Sequence, residues 1–270
     1  MPKLPTKVPA PPLPGPLKAP PPRPGEGNGA GPAHHAREAG ASVVDWVDER
    51  TSLSGGARWL MFRKVPKGTN WFYTLGSATM FAFLSQAVTG VFLAMYYRPD
   101  PSGGAYESIR YVTNEVFLGQ FVRGMHKWGS SVMVILVFLH MGRTFFFGAY
   151  KYPRELNWVI GVVLLILTMT MSFTGYLLPF DQRAYWATIV GVNINGTGPL
   201  IGPYLSDFLR GGGEFGATTL SRFYAIHMLL VPGAIAALLG AHLYLVAKLG
   251  TTAPPWIKAE KDSELRKAEA

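Results

Sequence analysis

Four of the six histidines in this 270-residue sequence fall inside long apolar stretches, as two pairs: His126 with His140, and His227 with His242. The members of the pairs are 14 and 15 residues apart. At about 100° per residue, 14 steps end about 40° short of four helical turns and 15 steps about 60° past them. Each pair therefore lies near one helix face, with about 21–22 Å along the axis between its members. Ionisable side chains inside a bilayer are costly and usually mark function, and neutral imidazole is a good axial ligand for haem iron. Two facing helices, each offering one histidine near either membrane surface, would hold two bis-histidine haems stacked across the bilayer. Such a stack carries electrons from one face to the other.

The elements that must position these residues follow from composition. The chain is 49% hydrophobic and 15% charged, and about 20 apolar residues cross the hydrocarbon of a membrane. Four segments qualify, at about 70–97, 119–148, 157–180 and 222–249. The fold expected is all-α: a transmembrane four-helix bundle holding two haems, with short interfacial helices between spans. An even number of spans puts both termini on one side, and basic residues decide which side. Arg58, Arg63, Lys64 and Lys67 precede the first span, Arg143, Lys151 and Arg154 close and follow the second, and Lys248 and Lys258 close and follow the fourth. The connection between the first two spans sets Asp100, Glu107 and Glu115 against Arg98 and Arg110. Both termini are therefore expected on the cytoplasmic, negative side of a bacterial inner membrane or its equivalent. The net charge of +9 reads as this orientation signal and as attraction to anionic lipid. It is not a nucleic-acid footprint.

Residues 1–42 are a Pro- and Gly-rich tail that cannot bury a core, so they are expected to be disordered. His34 and His35 lie in it without further ligand types nearby. Residues 43–69 read as an amphipathic surface segment, with Val43, Val44, Trp46 and Trp59-Leu60-Met61-Phe62 as its apolar face. Residues 70–250 form the di-haem domain, and 251–270 a charged C-terminal tail. The chain has no cysteine, which removes disulfides, iron–sulfur clusters and thioether-attached haem from it. Bound haem must be non-covalent, held by the four histidines.

A second pattern matches the first. Gly76 and Gly90 in the first span, and Gly161 and Gly175 in the third, are each 14 residues apart. A glycine permits close approach of a flat ligand or another backbone, so these pairs would offer a smooth patch opposite each haem. The alternative is small-residue helix packing, which glycine also favours in membranes.

On these residues the chain resembles the cytochrome b/b6 family, specifically the short, split b6 type. The resemblance covers about residues 43–250. It rests on Phe72-Tyr73-Thr74-Leu75-Gly76, Thr89-Gly90, Tyr96-Tyr97-Arg98-Pro99, Arg123-Gly124-Met125-His126-Lys127-Trp128, Pro153-Arg154-Glu155-Leu156, Thr174-Gly175-Tyr176-Leu177-Leu178-Pro179 and Arg222-Phe223-Tyr224-Ala225-Ile226-His227. The 15-residue step from His227 to His242 is similar to the b6 branch. With the expected topology, the family pattern implies His126 with His227 on an outer haem iron, and His140 with His242 on an inner one. Arg123 and Arg143 sit three residues beyond His126 and His140, toward the nearer surface, and similar positions in the family contact haem propionates. Snorkelling to the interface is the simpler role, and Lys127 is suited to lipid phosphate.

One departure bears on cofactor content. The b6 type usually has cysteine where this chain has Thr74, and there the cysteine anchors an extra haem covalently. A hydroxyl forms no thioether, so two non-covalent haems b and no covalent haem are expected. Ala247 stands where that branch often has a basic residue. Between the third and fourth spans, Tyr185-Trp186-Ala187-Thr188 and Leu200 to Leu209 read as interfacial helices, and Asp181 as a cap. In the family this connection lines the outer quinol-oxidation pocket.

The resemblance implies the di-haem b subunit of a quinol:cytochrome c (or plastocyanin-like carrier) oxidoreductase, with quinol and quinone as substrates. No Pro-Glu-Trp-Tyr loop occurs in this sequence. The expected partners are therefore a separate three-helix cytochrome b C-terminal-type subunit, a Rieske iron–sulfur protein and a cytochrome c-type subunit, in a dimeric complex. No residue of this chain is expected to be catalytic by itself. The alternatives are a di-haem membrane anchor of another quinone-linked enzyme, such as a formate or nitrate system, and a haem-free membrane scaffold.

Overall fold

Long runs of apolar residues without Pro or charge leave the backbone one way to satisfy its polar groups away from water, which is to hydrogen-bond within a helix. The computed structural model describes residues 43–52, 55 and 66–257. The readings for 1–42, most of 53–65 and 258–270 lie outside the described residues. The chain divides into two units, Met1–Val65 and Pro66–Ala270. In the first, helix α1 (43–51) exposes Val43, Val44 and Trp46, and the Arg50 guanidinium lies 4.2 Å from the Trp46 ring centroid.

Every regular element among the described residues of the second unit is a helix. Four helical stretches are long and apolar enough to cross a membrane: Trp71–Ala94, Gly119–Phe146, Glu155–Leu177 and Ala217–Leu249. They are α2 (Leu75–Ala94), entered through a 3-10 turn at Trp71–Thr74; α4 (Gly119–Phe146); α5 (Glu155–Leu177); and α8 (Ala217–Ala225), which runs through a wide π turn at Ile226–Leu230 into α9 (Val231–Leu249). Three shorter helices connect them: α3 (Gly104–Asn114), α6 (Gln182–Gly196) and α7 (Gly202–Arg210).

The ends have local causes. The Asn70 side chain accepts from Phe72 N at 3.2 Å and starts the first span. The third span stops at Leu177 because Pro179 follows, with Phe180 turned to φ 49°. The fourth begins at Ala217, earlier than hydropathy alone places it, because Gly216 N donates to the Thr219 hydroxyl and that hydroxyl donates on to Arg210 O. Asp181 caps α6 by accepting from Ala184 N at 2.8 Å. Helix α6 continues well past Thr188, and α3 has no counterpart among the elements expected from sequence.

Packing is uneven. Helix α2 lies along α4, and α5 along α9, in the two most extensive contacts; α4 and α9 are not a closely packed pair. The apolar core gathers at one end, where Leu177, Val192, Leu209, Leu220, Phe223 and Val231 pack beneath the 181–221 connection. Tyr97 ties the end of α2 to this core, donating to Leu178 O at 2.6 Å and packing its ring against that of Tyr224 at a 30° tilt. Elsewhere the outward faces are apolar and uncovered: Phe81, Val88, Ile166 and Leu229 are each more than half exposed, as a hydrocarbon solvent requires. At the opposite end, Arg154 donates to Leu249 O and Gly250 O, the last carbonyls of α9. Residues 251–257, expected as the start of a charged tail, fold onto the body instead. Tyr73 donates to Thr252 O, Trp256 packs edge-on to Phe147, and Pro254 is fully buried. These seven residues are apolar or hydroxylic, and the charges begin only at Lys258.

Candidate haem-binding site

Helix α4 carries His126 and His140, the π turn carries His227, and α9 carries His242. Across the gap between these helices the imidazoles face each other in pairs. His126 and His227 have ring centroids 6.3 Å apart at 78°, and His140 and His242 have centroids 6.5 Å apart, also at 78°. A metal–imidazole bond is about 2.0–2.1 Å, and the ring centroid lies about 1.1 Å beyond the nitrogen. Two imidazoles on opposite sides of one metal therefore stand about 6.2–6.4 Å apart. Both pairs match this within a few tenths of an ångström. No three His, Cys, Asp or Glu side chains converge as a metal cage among the described residues. A metal between these rings would have to bring its other ligands with it, as haem iron does.

The agreement between the two pairs needs an explanation, because one helix spaces its histidines by 14 residues and the other by 15. The π turn supplies it. Val231 N bonds to Ile226 O, five residues back, so the turn holds one residue more than an α turn. A turn one residue wider takes up one residue of the 15-residue step beside His227, which brings that step toward the 14-residue step of the facing helix. The local cause is Pro232. It has no N–H and its ring would collide with the carbonyl four residues earlier in a regular helix, and widening that turn relieves the collision.

The four glycines each abut a different imidazole. A Cβ on Gly76 would lie 3.1 Å from His140 Cε1, on Gly90 3.2 Å from His126 Cε1, on Gly175 2.5 Å from His227 Cε1, and on Gly161 3.7 Å from His242 Cε1. The expected smooth patch is thus narrower than a macrocycle face: each glycine makes room for the edge of an imidazole. Two hydroxyls stand beside the first pair. Thr89 Oγ1 is 2.9 Å from His126 Nδ1, and Thr174 Oγ1 is 3.3 Å from His227 Nδ1, which also lies 3.0 Å from Met171 O.

Of the two arginines, Arg143 fits an anionic group. Its guanidinium lies 3.8 Å from the Tyr73 ring centroid and 5.1 Å from that of Phe147, and its Nε and Nη2 are buried without a hydrogen-bond partner. A buried, unsatisfied cation on this scale calls for an acidic partner, and a propionate would be one. Arg123 turns instead to the preceding connection, where Nη1 donates to Thr113 Oγ1 at 3.3 Å. The Thr74 hydroxyl donates to Trp71 O at 2.7 Å and serves the backbone. Between α5 and α6 a cleft of about 340 Å³ is lined by Met169, Ser172, Phe173, Tyr176, Ala187 and Thr188. From sequence, Thr89 and Thr174 are motif residues without a role of their own, and Pro232 stands outside every motif. The signals were present: a Thr-Gly step repeated on both glycine helices, and a proline inside a hydrophobic span.

A family model described as "Cytochrome b/b6/petB" matches residues 60–250. The chain is 44% identical over 220 residues to the menaquinol:cytochrome c reductase cytochrome b subunit of Geobacillus thermodenitrificans, covering 78% of this chain and 98% of that one. It is 43% identical over 213 residues to cytochrome b6 of Heliobacterium modesticaldum, covering 78% of this chain and 100% of that protein. Among solved structures, a chain of a hyperthermophilic respiratory Complex III superposes with a TM-score of 0.71 at 32% identity. That match takes in 78% of this chain but 56% of the other, so the chain spans just over half of that longer one.

Proposed function

The chain belongs to the cytochrome b/b6 family, and from that premise we propose that it is the di-haem b subunit of a quinol:cytochrome c (or plastocyanin-like carrier) oxidoreductase. The observation that carries the proposal is the paired imidazoles: two facing pairs, with centroids 6.3 and 6.5 Å apart, each ring backed by a glycine. When bound, the haems supply one-electron centres at two depths of the membrane.

The protein's own work is to fix those positions. His126 and His227 hold one site and His140 and His242 the other, from helices that stand apart by the width of the ligand pair. The glycine helices close the sides, and the lipid-facing apolar surface excludes water. Moving a charge across a membrane potential takes about 2.3 kcal/mol per 100 mV, so stepping sites at fixed depths are needed. Arg143, buried beside Tyr73 with Nε and Nη2 unpartnered, would hold a haem propionate in a charge-assisted pair. The cleft between α5 and α6 suits a quinol head group. Its size falls in the range of about 300–1,000 Å³ usual for small-molecule sites, and Ser172, Tyr176 and Thr188 are polar groups in an otherwise apolar lining.

Both termini lie on the negative side, with the His126/His227 level outward. The working complex adds a three-helix cytochrome b C-terminal-type subunit, a Rieske protein and a cytochrome c-type subunit, as a dimer. No covalent haem is held at Thr74. Haem quantitation on purified protein, with a reduced-minus-oxidised spectrum, tests the reading. Two b-type haems per chain, all extractable by acid acetone, are expected. One haem per chain, or none, would sink it, and haem that stays attached after extraction would overturn the non-covalent assignment.

A further inference from the structure

Two apolar helices side by side in hydrocarbon have no hydrophobic force to stop one sliding along the other, so polar contacts and close packing must set their register. One stripe of α5 makes three contacts with α9. Arg154, at the foot of α5, donates from Nη2 to Leu249 O at 3.1 Å and from Nε to Gly250 O at 3.4 Å. The Asn157 carbonyl meets the His242 imidazole. A Cβ on Gly161 would lie 3.7 Å from His242 Cε1. Positions 154, 157 and 161 follow each other by three and four residues, the spacing of one helix face.

The two ends of this stripe are in step. Arg154 and Gly161 are seven residues apart, and so are His242 and Leu249. Seven residues turn a helix by about 700°, about 20° short of two full turns, and rise about 10.5 Å. The antiparallel pair therefore matches Leu249 to Arg154 and His242 to Gly161 in a single register. A slip of one residue would carry His242 about 1.5 Å along the axis. Asn157 contributes its backbone and Gly161 the lack of a side chain; of the three, only Arg154 holds α9 by a side chain. That side chain also stands against its own helix. Arg154 is the N-cap residue of α5, where the helix macrodipole disfavours a cation, whereas the last carbonyls of α9 attract one. Its placement serves α9.

We propose that Arg154 is a positioning residue for the site held by His140 and His242: by capping α9 from the foot of α5 it fixes the register of the two helices, and with it the height and ring orientation of His242 opposite His140. The inference rests on the haem-binding reading above. A guanidinium presents several N–H donors in a fixed fork, and the final carbonyls of a helix have no partner within it. The same contact sets where residues 251–257 leave α9. Those residues bring Thr252 O to the Tyr73 hydroxyl, and the Tyr73 ring lies against the Arg143 guanidinium.

The test is electron paramagnetic resonance of the oxidised, haem-loaded complex, which reads the orientation of the axial imidazoles, with potentiometric titration as a second readout. The component at issue is the one that His242→Ala removes. In Arg154→Met, which keeps an unbranched stem and loses every N–H donor, that component shifts in signal and midpoint potential or is lost, and the other keeps both. Arg154→Lys, which retains a cation with N–H donors, displaces it less. Shifts in both components, a shift in neither, or a Lys variant as displaced as the Met variant would overturn the inference while leaving haem binding intact. Absence of haem from the wild-type chain would instead overturn the reading it rests on. Should Arg154→Met not assemble, Arg154→Gln is read the same way: a shift confined to that component supports the inference, and a shift in both or in neither refutes it.

Discussion

A methyl group is the smallest probe of the space around a histidine, and the four glycines would receive it differently. At Gly175 a Cβ would come to 2.5 Å from His227 Cε1, whereas at Gly161 the nearest atom is His242 Cε1 at an ordinary 3.7 Å. His227 cannot yield easily, because its Nδ1 is tied to Met171 O and Thr174 Oγ1 on the same helix as the glycine. Gly175→Ala is therefore expected to cost about 1–3 kcal/mol through overpacking and to deplete the haem held by His126 and His227. Gly161→Ala is expected to keep both haems, and to gain up to about 1 kcal/mol from helix propensity. Haem stoichiometry and thermal unfolding of the two variants check this. Substitution of the ligands reads the pairing directly. His126→Ala and His227→Ala should remove one and the same spectral component, and His140→Ala and His242→Ala the other. Loss of a shared component in His126→Ala and His242→Ala would contradict the facing pairs.

The wide turn at Ile226–Leu230 converts a 15-residue step into the equivalent of 14, and the conversion can be undone. Deleting Leu229 while replacing Pro232 by Ala leaves 14 residues between the two histidines and removes the reason for the bulge. This variant is expected to keep both haems with wild-type absorbance. Inserting one alanine between His126 and His140 in α4, which has no such turn, rotates one histidine by about 100° and moves it about 1.5 Å. Loss of one haem should follow, and the absorbance spectrum with haem quantitation distinguishes the two outcomes. The four spans were legible in the sequence because hydrocarbon demands unbroken apolar helices, and the glycine and histidine steps because helical periodicity is rigid. The bulge was not. A 15-residue step at about 60° past four turns is compatible with one loose face, and only Pro232 hinted that the backbone corrects it. Thr89 and Thr174 were hidden for a related reason, since threonine in a membrane helix most often bonds only its own backbone. Helix α3 is too short to span at 11 residues, and the face it buries, Ala105, Ser108 and Val112, is too small and too polar to stand out as an apolar stripe in the sequence.

At the scale of the whole molecule, the haem-binding half of an electron-transfer device needs a source of electrons, a taker of protons and an outlet. Oxidation of a quinol releases two protons with its two electrons, so a base must stand within hydrogen-bonding reach of the quinol hydroxyl. The cleft between α5 and α6 is lined by Met169, Ser172, Phe173, Tyr176, Ala187 and Thr188, and none of these is a carboxylate or an imidazole. The nearest acid in sequence, Asp181, is already committed, accepting from Ala184 N at 2.8 Å to start α6. The histidines that could take a proton face each other in pairs on the opposite side of the glycine helices, where they are needed as ligands. On the function proposed above, the base comes from another subunit docked against the 181–221 connection, which leaves Tyr204, Phe208 and Trp186 more than half exposed. The curated relatives matched over nearly their full length include a subunit of a menaquinol:cytochrome c reductase, consistent with that division of labour. The chain reconstituted alone with haem in liposomes is thus expected to accept electrons from a chemical reductant and hold them. It should show no inhibitor-sensitive turnover from quinol to a soluble cytochrome, with activity appearing once the three-helix subunit and a Rieske protein are added. Turnover by the haem-loaded chain without either addition would mean that this cleft, or another surface of the chain, already holds the proton acceptor.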